Sequence, residues 1–218
     1  MSALVVYVHG LWFNGLEGWM LRQRLARRLN VPCRAFSYRS VSVEVARNAA
    51  VLGEYLARLR TDTVHLVGHS LGGIVILKLF ETAPDIAPGR IVLLGSPING
   101  SRAAEGFARW ALGRRMLGVG ITREVLRGGT RRWGGGRDLG IIAGEAPFGL
   151  GRLVARLSAP NDGAVLVDET RLEGATDHLT LRVSHSGMLF NDRVAAQTAA
   201  FLRDGRFARG TAMVHSNR

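Results

Sequence analysis

Residues Gly68-His69-Ser70-Leu71-Gly72 place a serine between two glycines at the spacing of a sharp strand-to-helix turn, a geometry that exposes a hydroxyl as a nucleophile. The pattern alone carries little weight, because with 28 Gly in 218 residues chance supplies on the order of 0.2 matches. Its surroundings carry more. A strand-like run, residues 65–67, precedes it, and after Gly73 an apolar helical stretch follows over residues 74–80. The first amides of that helix point back at the turn, where an anion would be stabilised. Gly68 and Gly72 are expected where a side chain would collide with neighbouring backbone. The plain alternative is a glycine-rich turn holding an ordinary serine.

A serine hydroxyl needs a base to become reactive. Six histidines are available: His9, His65, His69, His178, His185 and His215. His65 lies within a strand, His215 in the C-terminal tail, and His69 inside the turn, where the local geometry is expected to direct it away. His9 reads as a loop-ordering hydrogen-bonder and His178 as structural, at the far end of its strand. His185 directly follows an apolar strand in Val183-Ser184-His185-Ser186-Gly187, on a loop at the same sheet edge as Ser70. The base in turn needs a carboxylate to orient it and to stabilise its protonated form. Asp162 in Asn161-Asp162-Gly163 stands between the two in the chain, although Asn-Asp-Gly is also common turn chemistry. Glu145 is the main rival, with Asp168 and Asp177 behind it. Two backbone amides complete the constellation as donors to a developing oxyanion: Leu71, after the serine, and Leu11, after the His9-Gly10 turn.

Elements that would position these residues alternate along the chain. Strands are expected at residues 4–8, 35–38, 63–67, 91–94, 140–143 and 179–183. Helices are expected at 15–29, from Val45 to about Leu59, at 71–83 and from about Asp192 to Leu202. Val45, Ala49, Leu52, Leu56 and Leu59 form one apolar stripe. Single helices between strands imply right-handed crossovers and a mostly parallel sheet covered on both faces, with the working site at the carboxyl ends of the strands. The segment 101–138 breaks this rhythm with nine arginines, two tryptophans and the run Gly134–Gly136. It reads as an irregular helical insertion on the surface, or as a lid over the site. The tail 204–218 has no periodicity and is expected to be flexible.

Taken together, Val8-His9-Gly10-Leu11, Gly68-His69-Ser70-Leu71-Gly72-Gly73, Gly95-Ser96-Pro97, Asn161-Asp162-Gly163 and Ser184-His185-Ser186 resemble the α/β-hydrolase superfamily. The branch they look like is that of small bacterial lipases and esterases, including compact lipases and inositol-deacylase-like hydrolases. The likeness spans about residues 4–203. It implies a minimal α/β-hydrolase fold of about six strands in a single domain, 1–203. It also implies Ser70 as nucleophile, Asp162 as acid, His185 as base, and Leu11 and Leu71 as oxyanion donors. Gly95-Ser96-Pro97 corresponds to a strand end that shapes the pocket wall. The 101–138 segment has no counterpart in that pattern. Trp12 and Phe13 are candidates for the substrate groove, together with Trp19, Phe107, Trp110, Met116 and Leu117. The implied activity is hydrolysis of carboxylic esters, with no cofactor and no metal. Thioesters or amides, carbon–carbon bond or haloperoxidase-type chemistry, or binding without catalysis are the alternatives.

Composition bounds these readings. Apolar residues make up 47% of the chain, enough for a full core. Cys33 is the single cysteine, so no internal disulfide forms. No apolar run approaches the roughly 18 residues of a membrane span, and the N-terminus lacks the basic start of a signal peptide, so a cytoplasmic protein is expected. The formal charge of +12 comes from arginine, since Lys78 is the only lysine among 29 basic residues. No nucleic-acid-binding motif accompanies that charge, so no specific nucleic-acid partner is expected. The expected partners are a small ester or lipid substrate and, through the arginine-rich segment, an anionic membrane surface.

Overall fold

The computed structural model describes residues 2–82, 85–126, 132–147 and 160–209, without the side chains at 119–124. Six strands form one sheet in the order β2-β1-β3-β4-β5-β6: β1 (Ala3–Val8), β2 (Cys33–Phe36), β3 (Thr63–His69), β4 (Ile91–Leu94), β5 (Leu139–Gly144) and β6 (Asp177–Leu181). All five pairings are parallel. With helices on both faces this is the covered parallel sheet expected from the alternation, and the α/β-hydrolase fold that the resemblance implies.

The helices are α1 (Trp19–Leu29), α2 (Val45–Ala57), α3 (Leu71–Phe80), α4 (Arg102–Ala108), α5 (Ala111–Glu124) and α6 (Asp192–Asp204). Alternation along β1 sends Leu4, Val6 and Val8 into a core shared with Leu52 and Leu56 of α2 and Ile74 and Val75 of α3. Val5 and Tyr7 enter a second core with Leu21 and Leu25 of α1 and Val194 and Phe201 of α6. Burial on both faces is why β1 reads as an unbroken apolar run.

Two strands begin two residues earlier than hydrophobicity suggests. β2 starts at Cys33, directly after Pro32, and Tyr38 lies outside it because its backbone N–H donates to the His9 ring (3.1 Å) instead of to a strand. In β6, Asp177 and His178 pair with Gly140 and Ile141 although neither is apolar, because register with β5 defines an edge strand more than its side chains do. β3 continues two residues past the expected end, to His69.

The segment after β4 is more regular than expected. α4 is capped by Ser101, whose hydroxyl accepts the Ala104 N–H (3.1 Å). α5 is broken at Gly118 (φ 76°), where a Cβ would stand 1.9 Å from the Val41 carbonyl oxygen. Arg137, one of the nine arginines, is structural: it donates to the Ile86 and Ala87 carbonyls (3.0 and 2.8 Å) and lies over the Phe80 ring. Residues 127–131 of that segment lie outside the described residues.

The tail expectation is corrected for residues 204–209. α6 runs to Asp204 and closes on Gly205 in the left-handed region (φ 74°). Phe207 is buried against Phe201, its N–H donates to Asp177 Oδ2 (3.0 Å), and Arg209 pairs with the same carboxylate. Residues 210–218, with His215, lie outside the described residues. Removing a buried phenylalanine costs about 3 kcal/mol or more. Phe207→Ala is therefore expected to lower the urea midpoint markedly, and an unchanged midpoint would show that this segment contributes nothing to the fold.

Candidate active site

Ser70 stands between β3 and α3 with φ 53° and ψ −120°, a conformation that L-residues adopt only under constraint. The constraint comes from its neighbours. Cβ atoms at Gly68, Gly72 and Gly73 would stand 2.7 Å from Gly73 Cα, 2.1 Å from the Val8 carbonyl oxygen and 2.0 Å from Ser96 Oγ. The Ser70 N–H donates to the Leu94 carbonyl (2.9 Å), tying the turn to the end of β4.

Asp162 and His185 meet across the ends of β5 and β6. Asp162 Oδ2 lies 2.7 Å from His185 Nδ1, while Oδ1 accepts the Ala164 and Val165 amides (2.9 and 2.7 Å). The His185 N–H donates to the Asp162 carbonyl (2.9 Å), so backbone and side chain fix the same pair. Burial alone would push the His185 pKa down, but the Asp162 carboxylate and its hydrogen bond outweigh it and hold the ring above the ordinary histidine value.

Ser70 and His185 line one cleft of about 360 Å³, a usual size for a small-molecule site. Gly10, Leu11, Trp12 and Phe13 form one wall, and Ala104 and Phe107 of α4 with Leu117 of α5 form another. Pro97 and residues 163–165 also line it. Of the groove candidates, Trp12, Phe13, Phe107 and Leu117 reach the cleft, whereas Trp19, Trp110 and Met116 are exposed outside its lining. Leu11 and Leu71 both reach it. Among the described residues, neither of their amides donates a hydrogen bond to a protein acceptor.

The rival carboxylates are elsewhere. Glu145 is exposed, Asp168 pairs with Arg171, and Asp177 holds Phe207 and Arg209. His65 accepts the Arg90 N–H, and burial, with Arg90 and Arg137 nearby, lowers its pKa to about 4. His178 Nε2 lies 3.0 Å from Thr170 Oγ1, a structural contact.

His69 departs from expectation. Its ring does not turn away from the site: it packs 4.8 Å from the His185 ring, and Nε2 donates to the His185 carbonyl (3.1 Å). Burial and the neighbouring His185 push its pKa down to about 3, so it supports the loop as a neutral ring. Two further residues support the pair: Gly95, in the Gly95-Ser96-Pro97 strand end already noted, and Glu169, for which the sequence carried no signal. A Cβ on Gly95 would stand 3.0 Å from Asp162 Oδ2 and 3.1 Å from His185 Nδ1, crowding that pair, and its φ of 54° favours glycine as well. Glu169, buried, accepts the Leu166 amide (2.9 Å) with one oxygen and the Arg102 amide (2.8 Å) with the other, joining the Asp162 loop to the start of α4. Among the described residues, no three His, Cys, Asp or Glu side chains cluster as a metal site requires, and no helix is long and apolar enough to cross a membrane.

A parallel sheet with a serine turn after β3 and an Asp–His pair beyond β5 and β6 defines a hydrolase-type scaffold. The family model described as the alpha/beta hydrolase family matches residues 5–208, and the chain belongs to that family. Solved structures share the fold. Mature lipase BlEst2 from Bacillus licheniformis superimposes with a TM-score of 0.73 at 18% identity, over 94% of this chain and 93% of that one. Phospholipase PlaB from Legionella pneumophila gives 0.72 at 14% identity, over 94% of this chain and 61% of that one. A metagenomic carboxyl esterase gives 0.64 at 21%, over 84% of this chain and 64% of that one. None of these likenesses singles out the inositol-deacylase-like subgroup. No curated protein sequence matches the chain significantly.

The Asp162–His185 pair makes a prediction about pH. NMR titration of the His185 ring is expected to give a midpoint above the ordinary 6.5, falling below it in Asp162→Asn. A histidine held above its unfolded value adds stability that is full below about pH 6.5 and is lost as pH rises through the folded value. The destabilisation caused by Asp162→Asn is therefore expected to be larger at pH 5 than at pH 9. A wild-type midpoint below 6.5 would show that the carboxylate does not govern this ring.

Proposed function

We propose that the protein is a carboxylic ester hydrolase of the lipase/esterase type acting through Ser70, His185 and Asp162. The observation that carries this reading is the 2.7 Å Asp162–His185 hydrogen bond beside a cleft that Ser70 lines in a strained backbone conformation. The families of the structural neighbours agree with it, since the proteins named are a lipase, a phospholipase and a carboxyl esterase.

In this reading His185 Nε2 takes the Ser70 proton as the oxygen attacks the ester carbonyl. Asp162 holds the Nδ1 proton and stabilises the imidazolium. The Leu11 and Leu71 amides receive the oxyanion, the second of them at the N-terminus of α3, where helix amides lack internal partners. His185 then gives its proton to the leaving alcohol, and a water repeats the sequence to release the acid and regenerate Ser70. The apolar walls suit an acyl chain. Thioesters and amides would pass through the same steps, and a substrate panel separates them.

The rim of the cleft extends the proposal to an anionic lipid surface. Trp12 and Phe13 are exposed where they line the cleft, Leu112 and Met116 on α5 and Trp110 just before it are exposed as well, and the Trp12 Nε1–H donates to the Met116 carbonyl (2.8 Å). Arg102, Arg114 and Arg115 are exposed on the same pair of helices and Arg109 at the turn between them, with Glu105 the one acid among their described side chains. Exposed apolar side chains on a segment that also carries exposed arginines fit an acidic bilayer face. Flotation is expected with phosphatidylglycerol vesicles, weakening as salt rises. Equal flotation with phosphatidylcholine, or none, would reject this partner.

A fluorophosphonate probe tests the reaction itself. Modification confined to Ser70 and lost in His185→Ala is expected, with p-nitrophenyl butyrate hydrolysis abolished in Ser70→Ala. Asp162→Asn is expected to lower kcat by on the order of 10⁴ while the chain stays folded. Esterase activity retained by Ser70→Ala would overturn the reading.

A further inference from the structure

His9 is fully buried one residue beyond β1, and both of its ring nitrogens are engaged. The Tyr38 backbone N–H points at Nε2 (3.1 Å), and an amide can only donate, so Nε2 must present a lone pair. The proton of the neutral ring therefore sits on Nδ1, which donates to the Gly10 carbonyl at 2.7 Å. The ring stacks on Tyr38 with centroids 4.2 Å apart, and the Tyr38 hydroxyl donates to the His9 carbonyl (2.8 Å). Neither ring nor carbonyl is free to turn.

The consequence falls on the next peptide. In a planar trans peptide the C=O of Gly10 and the N–H of Leu11 point in opposite directions. With the Gly10 oxygen drawn onto His9, the Leu11 N–H is directed away from that ring. Leu11 and Gly10 both line the cleft, and the Gly10 Cβ position lies 3.3 Å from Ser70 Cβ, so this peptide passes directly beside the serine. Trp12, the residue that follows, sits in the left-handed region (φ 64°) with its N–H on Ser40 Oγ (3.2 Å), which fixes the far side of the same turn.

We infer that His9 is a positioning residue for the oxyanion site: its Nδ1–H holds the Gly10 carbonyl so that the Leu11 amide faces the reacting carbonyl. The inference rests on the reading of Ser70 as nucleophile. It adds a residue that touches no substrate and acts on the transition state through the orientation of one peptide. The side chain does not serve as a second base, because its Nε2 lone pair is already occupied by Tyr38.

The substitutions separate donor from bulk. His9→Leu fills the space without a donor, whereas His9→Asn places an amide N–H near the position of Nδ1. With p-nitrophenyl butyrate, His9→Leu is expected to lose about 10²-fold in kcat with KM changed less than about threefold, the signature of an interaction made in the transition state. Affinity for an alkylboronate, whose tetrahedral adduct places an oxygen in the oxyanion site, is expected to fall in parallel. His9→Asn is expected to recover at least about tenfold of both. Should the variants fail to fold, ¹⁵N NMR of the wild-type ring decides: a proton on Nδ1 supports the inference and a proton on Nε2 overturns it. Folded His9→Leu with unchanged kcat also overturns it, while Ser70→Ala, run alongside, reports separately on the nucleophile.

Discussion

Backbone atoms approach one another around Ser70 more closely than any Cβ tolerates, and the arrangement of the strand ends depends on that approach. A methyl group at Gly72 would overlap the Val8 carbonyl, and one at Gly73 would overlap the Ser96 hydroxyl. The turn after β3 can therefore nest between the ends of β1 and β4 only because it carries no side chains there. Nesting forces Ser70 into its positive-φ conformation and brings the β1 loop, through Gly10, against the serine. Strain at one residue is sustained by packing at three others, the usual way a folded chain holds an unfavourable backbone at a working site.

Around this turn the polar groups form a supporting shell in which most partners are backbone. Asp162 accepts two amides besides the His185 ring, Glu169 accepts amides from two separate loops, His69 donates to the His185 carbonyl, and His9 holds the Gly10 carbonyl. Main-chain donors cannot swing away as long side chains do, so the shell arrives with its geometry already set. Burial drives the neutral form of His9 and His69, while Asp162 reverses the effect at His185. The three histidines thus differ in charge preference because only His185 has a carboxylate hydrogen-bonded to its ring.

Much of this was legible in the residues. The β1 run, the glycine spacing around Ser70 and the Asn161-Asp162-Gly163 turn are local patterns, and local patterns report local backbone. The edges of β2 and β6 were not legible, because Tyr38 leaves the sheet to serve His9 and Asp177 joins it to serve register. Phe207 looked like part of a loose tail, since no local pattern announces Asp177, on the edge strand, as the partner of its N–H. His69 was misjudged for the same reason: its contact is His185, on a loop more than a hundred residues away.

The sequence by itself determined the alternation of strands and helices, the serine turn and the order in which nucleophile, acid and base candidates follow one another. These depend on periodicity and on which residue types a tight turn admits, and both act over a few neighbouring positions. Only the tertiary structure decided that Asp162 and not Glu145 meets His185, that Gly95 leaves space for that meeting, and that α4 and α5 wall the cleft. Those outcomes depend on which strand ends become neighbours across the sheet. Parallel pairing joins segments separated by whole crossovers, and no pattern within either segment records its distant partner.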